Sequence, residues 1–248
     1  MQLAKGKPPV ATQQETVAAL LGRSQRKGNA APIRRTFVQQ GPQRKPVPGP
    51  LATLVRNRDE RALDLYLLLH AVASSEPWDV TESATLWGRA LGLHVPGSAE
   101  SAVSKTWARL EKLDLVRRSR RDRRASVTLL DEGGSGAAYR HPAGLEPYLK
   151  LPYQYWLSED RWYKTLQLPA KAVLLIGLTL PREFILPTEK APKWYGISSD
   201  TAERGLRSLR GNGLLSRRKE FKKAPLAPQG YTEQLVYSLE PPFRVTRK

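Results

Sequence analysis

The chain has 248 residues, 40% of them hydrophobic, and its 41 basic side chains outnumber its 23 acidic ones to give a net charge of +18. This length allows one large or two ordinary domains with real cores, and the basic excess predicts an acidic partner, above all nucleic acid. The absence of cysteine excludes disulfides, thiolate metal sites and cysteine nucleophiles. His70, His94 and His141 are too scattered for a metal cluster, so we expect no metal and no other cofactor.

The apolar stretches are too short to span a membrane or to form a signal peptide. The longest one, residues 170–180, falls well below the roughly 20 residues of a membrane-spanning helix. Near the N-terminus, the apolar run 17–21 is shorter than the roughly 7 to 15 residues that a signal peptide requires. We therefore expect a soluble cytoplasmic protein, associated with the nucleoid if its partner is DNA.

The first 56 residues have the composition of a flexible basic arm. They hold ten basic residues and a single acid, Glu15, for a net charge of +9, and they are rich in proline, glycine and glutamine. Such a segment buries too little apolar surface to offset its ordering entropy. We predict disorder over residues 1–56, apart from one short helix near residues 13–21.

Residues 57–131, here called the first repeat, show helical spacing of apolar residues in three places. The predicted helices are 58–73, 81–91 and 98–113. Thr81 is the expected N-cap of the second helix. His70 lies in the apolar first helix, where a hydrogen-bonded core residue is the expected role. An arginine-rich turn then leads into a predicted strand at residues 126–130.

Residues 132–164, the connecting segment, are predicted to be a linker and an aromatic region between two domains. The run of glycine and serine at residues 131–136 predicts a flexible linker. The aromatic residues that follow are Tyr148, Tyr153, Tyr155, Trp156, Trp162 and Tyr163. They could stack on single-stranded bases, but packing between domains or in a dimer is the favoured interpretation.

Residues 165–243, the second repeat, predict the same order of elements, followed by a basic tail at residues 244–248. The predicted helices are 169–180, 188–195 and 198–212. Ser199 or Asp200 is the expected N-cap of the third, where Asp200 and Glu203 have capping-box spacing. Gly213 ends that helix, and Leu214 begins a strand that pairs across a long loop with residues 234–239.

The two repeats align, which indicates an internal duplication. Trp107 and Leu206 fall at one helix position and are expected in the core. Residues 195–215 resemble the glycine turn, recognition helix and wing entry of the winged helix-turn-helix family. The resemblance implies a mainly α fold with small β-hairpins, of class α+β, in which two tandem winged helix-turn-helix domains follow a disordered basic N-terminal arm.

In that family the recognition helix enters the DNA major groove, which implies that helix 198–212 reads bases. The implied contacts of this helix are Ser198, Ser199, Thr201, Arg204, Arg207 and Ser208. The first-repeat counterparts are Ser101, Ser104, Lys105 and Arg109. Because this second set is less basic, the first repeat could instead serve in dimerisation.

Each repeat also carries a basic run where the family has its wing. The first-repeat run contains Arg117, Arg118, Arg120, Arg121, Arg123 and Arg124, and the second contains Arg217, Arg218, Lys219, Lys222 and Lys223. A single charge run is usually a solvated surface. The recurrence of this one at the same place in both repeats favours contact with DNA phosphates.

No enzyme motif is present: the chain lacks a Walker loop, a dinucleotide-binding glycine fingerprint, a nucleophile elbow and a paired-histidine zinc motif. We therefore expect a sequence-preferring double-stranded DNA-binding protein without catalysis, most simply a transcriptional regulator that acts as a homodimer. One alternative is a plasmid or phage replication initiator that binds origin repeats and recruits replication proteins. Another is an assembly protein that binds nucleic acid nonspecifically.

Overall fold

The fold is known from a computed structural model, which describes residues 9–24, 26, 28–42, 44–93, 97–121, 124–144 and 146–244. It combines helices with small antiparallel sheets of two or three strands, so the α+β class is confirmed. The helices are α1 Gln13–Arg23, α2 Pro50–Arg56, α3 Glu60–Val72, α4 Ala84–Ala90, α5 Ser98–Glu111, α6 Gln154–Leu157, α7 Trp162–Thr165, α8 Leu168–Thr179, α9 Ala191–Tyr195 and α10 Ser199–Gly211. The strands are β1 Ala30–Arg34, β2 Gln39–Gln40, β3 Val47–Pro48, β4 Asp79–Thr81, β5 Val116–Arg121, β6 Arg124–Leu129, β7 Tyr148–Pro152, β8 Glu183–Phe184, β9 Leu215–Lys223 and β10 Tyr231–Leu239.

Residues 1–56, here called the N-terminal segment, are folded where the structure describes them, so the prediction of a disordered arm is wrong for those residues. The predicted short helix is α1, and it buries Val17, Leu20 and Leu21. Strand β1 pairs antiparallel with β7, which places Ile33 opposite Leu149. Composition misses this arrangement because the apolar face of α1 is narrow and the partner strand of β1 lies far along the chain.

The connecting segment is tied to the N-terminal segment by Glu132, so the flexible linker predicted at residues 131–136 is also wrong. Glu132 is fully buried and accepts hydrogen bonds from the backbone N and from Nη1 of Arg34, at 3.0 and 2.7 Å. Burial raises the pKa of Glu132, and the hydrogen bonds from Arg34 only partly oppose that rise. A buried carboxylate requires a partner of this kind, and local sequence does not reveal which one.

The aromatic residues of the connecting segment pack inside the protein. Tyr153, Tyr155, Trp156, Trp162 and Tyr163 are all buried, and Tyr148 is half-buried. The hydroxyl of Tyr153 donates to the carbonyl of Ala71 at 2.9 Å. Five of the six are therefore core residues and unavailable for stacking on bases, while a place between domains or in a dimer stays a prediction.

In the first repeat, three helices lie where they are predicted, but the second begins later than expected. Ser83 is the N-cap of α4, and its side chain accepts a hydrogen bond from the backbone N of Leu86 at 3.2 Å. The predicted cap, Thr81, belongs instead to β4, where its Oγ1 donates to Ser126 Oγ at 3.0 Å. Three residues are too few for β4 to show an alternating pattern.

In the second repeat, α10 begins after Ser198, so neither Ser199 nor Asp200 is its N-cap. The side chain of Ser198 accepts a hydrogen bond from the backbone N of Thr201 at 3.1 Å. A serine at this position satisfies one of the free N–H groups of the first turn. The shift is one residue from the nearer predicted cap and leaves the orientation of the helix face unchanged.

Both repeats run helix, strand, helix, helix, strand, strand. The strand order is β4-β6-β5 in the first sheet and β8-β10-β9 in the second, so the short early strand always lies beside the last strand. We call β5 and β6 the first hairpin and β9 and β10 the second hairpin. Trp107 and Leu206, at matching positions, are 3% and 5% exposed, which confirms their predicted place in the core.

The two repeats share one contiguous core with the N-terminal and connecting segments. At their junction, Nζ of Lys171 on α8 donates to both carboxylate oxygens of Asp64 on α3, at 2.7 and 2.8 Å, and pairs with Glu60 at 2.8 Å. The Lys171 side chain is only 2% exposed, so these partners are needed to hold its charge. Within the described residues, no helix is both long enough and apolar enough to cross a membrane.

Candidate nucleic-acid interface

Close packing on α8 fixes the orientation of α10. The buried face of α10 consists of Ala202, Gly205, Leu206 and Leu209. A Cβ on Gly205 would lie 2.4 Å from both the carbonyl oxygen of Pro169 and Cγ2 of Val173. The helices therefore approach so closely that only glycine fits. The sequence pattern identified the apolar stripe but not this contact.

The turn before α10 is fixed by the N-terminal segment. Gly196 has a φ of +66°, as the predicted glycine turn requires, and a Cβ there would lie 2.7 Å from Cβ of Ala52 and 2.9 Å from Cβ of Pro48. Ile197 is 2% exposed and fills the core as expected. The segment predicted to be an arm thus helps to position the candidate recognition helix.

The outward face of α10 presents the residues that the sequence assigned to it. Arg204 and Arg207 are exposed, and Thr201 and Ser208 are half-buried. Arg204 lies 3.7 Å from Asp200, but both side chains are more than half exposed, so this pair constrains the arginine weakly. Arg207 forms no ion pair with any described residue. At the start of the helix, Ser198 is exposed and Ser199 half-buried.

A cleft of about 850 Å³ lies at the N-terminal end of α10. Its walls include Ser198, Thr201 and Arg204 of the second repeat. They also include Arg56, the last residue of α2, and Arg58 in the turn that follows it. Both of these arginines are exposed. The sequence analysis did not assign them to the site, because only the fold brings them beside α10.

The second hairpin pairs nine residues on each strand, from Leu215 opposite Leu239 to Lys223 opposite Tyr231. All five basic residues that the sequence analysis assigned to phosphate contact in this hairpin are exposed. Two of these cations have acidic partners: Arg218 with Glu183 and Glu220, and Lys219 with Glu233. The other three, which form no ion pair with any described residue, are Arg217, Lys222 and Lys223. The hydrogen bond to Glu183 is the main cause of a raised pKa at Arg218.

On α5 of the first repeat, Ser101, Ser104 and Lys105 are exposed, but Arg109 is held by the fold. Its Nε and Nη2 donate to the two carboxylate oxygens of Asp59, at 2.5 and 2.8 Å. Asp59 is also the N-cap of α3. Hydrogen bonding to Asp59 raises the pKa of Arg109. Arg109 therefore fastens α5 to α3 and is less available to a partner than Lys105.

The first hairpin carries exposed arginines on both faces, namely Arg117, Arg118, Arg120, Arg121 and Arg124. The backbone N and Nε of Arg118 donate to the carboxylate of Glu111 at 2.8 and 2.6 Å. Burial tends to raise the pKa of Glu111, but these hydrogen bonds outweigh it and lower the pKa. Arg123, at the predicted turn, lies outside the described residues, as does His94.

Glu60 and Asp200 also line the cleft at the N-terminal end of α10, so its walls carry both signs of charge. The described residues contain no group of three or more histidine, aspartate or glutamate side chains that could hold a metal ion. Comparisons of this chain with protein-family models, curated proteins and solved structures return no match.

Proposed function

We propose that the chain binds double-stranded DNA with sequence preference, through two units of the winged helix-turn-helix kind. The observation that carries the proposal is the same in both repeats: a helix with one face exposed leads directly into a hairpin with cationic outer positions. One such helix and hairpin could be a solvated surface. Two copies on the same topology favour a common use, and DNA is the cellular polyanion with a groove that admits a helix.

Helix α10 is the proposed reader of bases. Arg207 has no competing acidic partner among the described residues, and an arginine in the major groove can bond both acceptors of a guanine. Arg204 is its exposed neighbour one turn earlier. Thr201 and Ser208 reach base edges or phosphates. At the helix start, Ser198 and the free N–H groups of the first turn suit a phosphate.

The two hairpins, together with Arg56 and Arg58, supply the phosphate contacts in this proposal. If about six to ten phosphates are neutralised, affinity should fall by about 10³ to 10⁵ between 50 and 200 mM salt. Fluorescence anisotropy of a labelled duplex over that salt range tests it. Absence of binding at low salt, or binding that salt leaves unchanged, would refute the proposal.

The proposed biological role is transcriptional regulation, with replication initiation as the alternative. Selection of bound sequences from random duplexes followed by genomic mapping separates them. Scattered promoter sites support a regulator, whereas one cluster of direct repeats at an origin supports an initiator. If unrelated duplex competes as well as the best selected site, the nonspecific assembly protein replaces both.

Self-association is part of the regulator proposal, because a symmetric operator requires two copies of the protein. Light scattering after size-exclusion chromatography, with and without the selected duplex, measures the number of copies. A single copy on the selected duplex would contradict the homodimer and leave DNA binding in place.

A further inference from the structure

The second hairpin carries an exposed aromatic pair that the contacts above do not use. Phe221 is 60% exposed and Tyr231 is 43% exposed. Their ring centroids lie 5.3 Å apart with an angle of 85° between the planes. Because Phe221 is opposite Glu233 and Tyr231 is opposite Lys223, both rings lie on one face of the hairpin.

Both rings stay substantially exposed to solvent. Strand β8 pairs only with Tyr237 and Ser238 of β10, so the outer half of the hairpin is a two-stranded ribbon. Leu226, in the loop at its end, is fully exposed. Large apolar side chains displayed together on a projecting ribbon are typical of a contact surface rather than of a free one.

The charge around the pair identifies its partner. Strand β9 is an edge strand in which five of nine residues are lysine or arginine. A second copy paired on that edge would bring the same charges together, which is unfavourable. Lys223 shares the face of the two rings, and Lys222 lies on the opposite face, where its charge acts on Glu220; neither lysine forms an ion pair with any described residue. The surface therefore suits a polyanion with flat apolar gaps between its charges, which describes stacked bases between phosphates.

We propose that Phe221 enters a base step from the minor groove of duplex DNA and kinks the duplex, with Tyr231 as the support that holds its ring. This inference rests on the proposed function, since it assumes that the hairpin lies on duplex DNA. Apolar side chains inserted in this way unstack a step and bend DNA by about 20–90°. The first hairpin has serine, alanine and arginine at its outer positions, so it has no equivalent wedge.

The test uses the full chain and a duplex of about 30 base pairs with a flexible central TA step, labelled at both ends for energy transfer. A second duplex carries 2-aminopurine at that step and reports unstacking. Wild-type protein should shorten the end-to-end distance and raise the 2-aminopurine fluorescence. Phe221→Ala should abolish both signals and weaken binding by roughly tenfold, with the salt slope unchanged.

Leu226→Ala is the matched control, because it removes exposed apolar surface from the same hairpin without removing a ring. It should behave as wild type, and Phe221→Trp should retain both signals. If Phe221→Ala bends DNA like wild type, the wedge is wrong and DNA binding stands. If wild-type protein binds no duplex in the first titration, the proposed function fails before any variant is made. If Phe221→Ala impairs only the binding of single strands, stacking on unpaired bases replaces the wedge.

Discussion

The third helices of the two repeats share a topology but differ in the availability of their cations. On α10, Arg204 and Arg207 point outward with at most one weak partner among the described residues. On α5, the residue matching Arg207 is Ala108, and the nearby Arg109 is bound in a bidentate manner by Asp59. Buried residues set the topology that the repeats share, whereas exposed ones set what each can bind.

The two hairpins differ in length and in the side chains that they expose. The first pairs six residues on each strand and displays mainly arginine, whereas the second pairs nine and adds an aromatic pair. A longer ribbon reaches further from the body of the repeat, and its rings can contact bases as well as phosphates. We therefore expect the second repeat to dominate recognition of DNA and the first to add affinity through charge.

The largest predicted effect concerns α3, which carries the fully buried His70 and the partly buried Asp64, two groups that titrate in opposite directions. Burial, aided by the charges of Arg26 and Arg34, lowers the pKa of His70 to about 3. Burial raises the pKa of Asp64 to about 6 against the lowering effect of Lys171. Their ordinary values are 6.5 and 3.8.

The two groups therefore have opposite effects on stability as the pH falls. Below pH 6.5, His70 is protonated in the unfolded chain but not in the folded one, so stability falls as the pH falls. Between about pH 6 and 3.8, Asp64 is protonated in the folded chain but not in the unfolded one, so stability rises as the pH falls. As the pH falls from about 6 to 3.8, the free energy of unfolding of His70→Phe should increase by about 1.4 kcal/mol per pH unit relative to wild type. The free energy of unfolding of Asp64→Asn should decrease by about the same amount relative to wild type. Urea unfolding at several pH values measures both. Equal pH slopes in the variants and wild type would contradict the prediction.

The second prediction concerns the packing of α10 on α8. Gly205→Ala forces a Cβ against α8 and should destabilise the protein by about 1–3 kcal/mol, measured by thermal or urea unfolding. Gly211→Ala, at the end of the same helix, meets nothing within 4 Å and is the control. The free energy of unfolding of Gly211→Ala should equal that of wild type or be slightly higher. Equal stability of the two variants would show that α10 does not need the close approach.

The third prediction concerns the exposed faces of α10 and α5, which differ at the position of Arg207. Arg207→Ala gives α10 the alanine that α5 has at the matching position. It should reduce discrimination between the selected and random duplexes by about 1–3 kcal/mol, measured by competition. Lys105→Ala, the α5 counterpart of changing Arg204, should affect discrimination less. If Arg207→Ala weakens both duplexes equally, this arginine binds a phosphate instead of a base.

The smallest effects concern the hairpin charges. Each lost phosphate contact reduces the slope of log affinity against log salt concentration by about 0.9. The double variant Lys222→Ala/Lys223→Ala should therefore reduce this slope by up to about 1.8. Arg120→Ala with Arg121→Ala tests the first hairpin in the same way and should also reduce it. Arg109→Ala should leave the slope unchanged because Asp59 holds that side chain. A changed slope for Arg109→Ala would show that the arginine leaves Asp59 to bind DNA.

Periodicity predicted the main helices of both repeats and the outward face of α10, because the spacing of Ala202, Leu206 and Leu209 is itself the local signal of a buried stripe. Charge runs predicted both hairpins. The cap at Ser198 and the short strands β4 and β8 were missed, since a cap can shift by one residue and a strand of two or three residues has no period. His70 was predicted to be a hydrogen-bonded core residue. It is fully buried, and neither ring nitrogen has a partner with full hydrogen-bond geometry among the described residues, although the backbone of Pro32 is close enough to raise the pKa slightly against burial.

The α+β class, the repeated order of helices and hairpins, and the concentration of positive charge at the hairpins can be predicted from the sequence, because apolar spacing and charge runs are properties of neighbouring residues. Three features follow from the tertiary fold alone: the N-terminal segment is folded, Arg34 pairs with Glu132, and Arg56 and Arg58 lie beside α10. Those contacts join residues far apart in the chain. Their free energy depends on burial and on the partner, and neither is a property of local sequence.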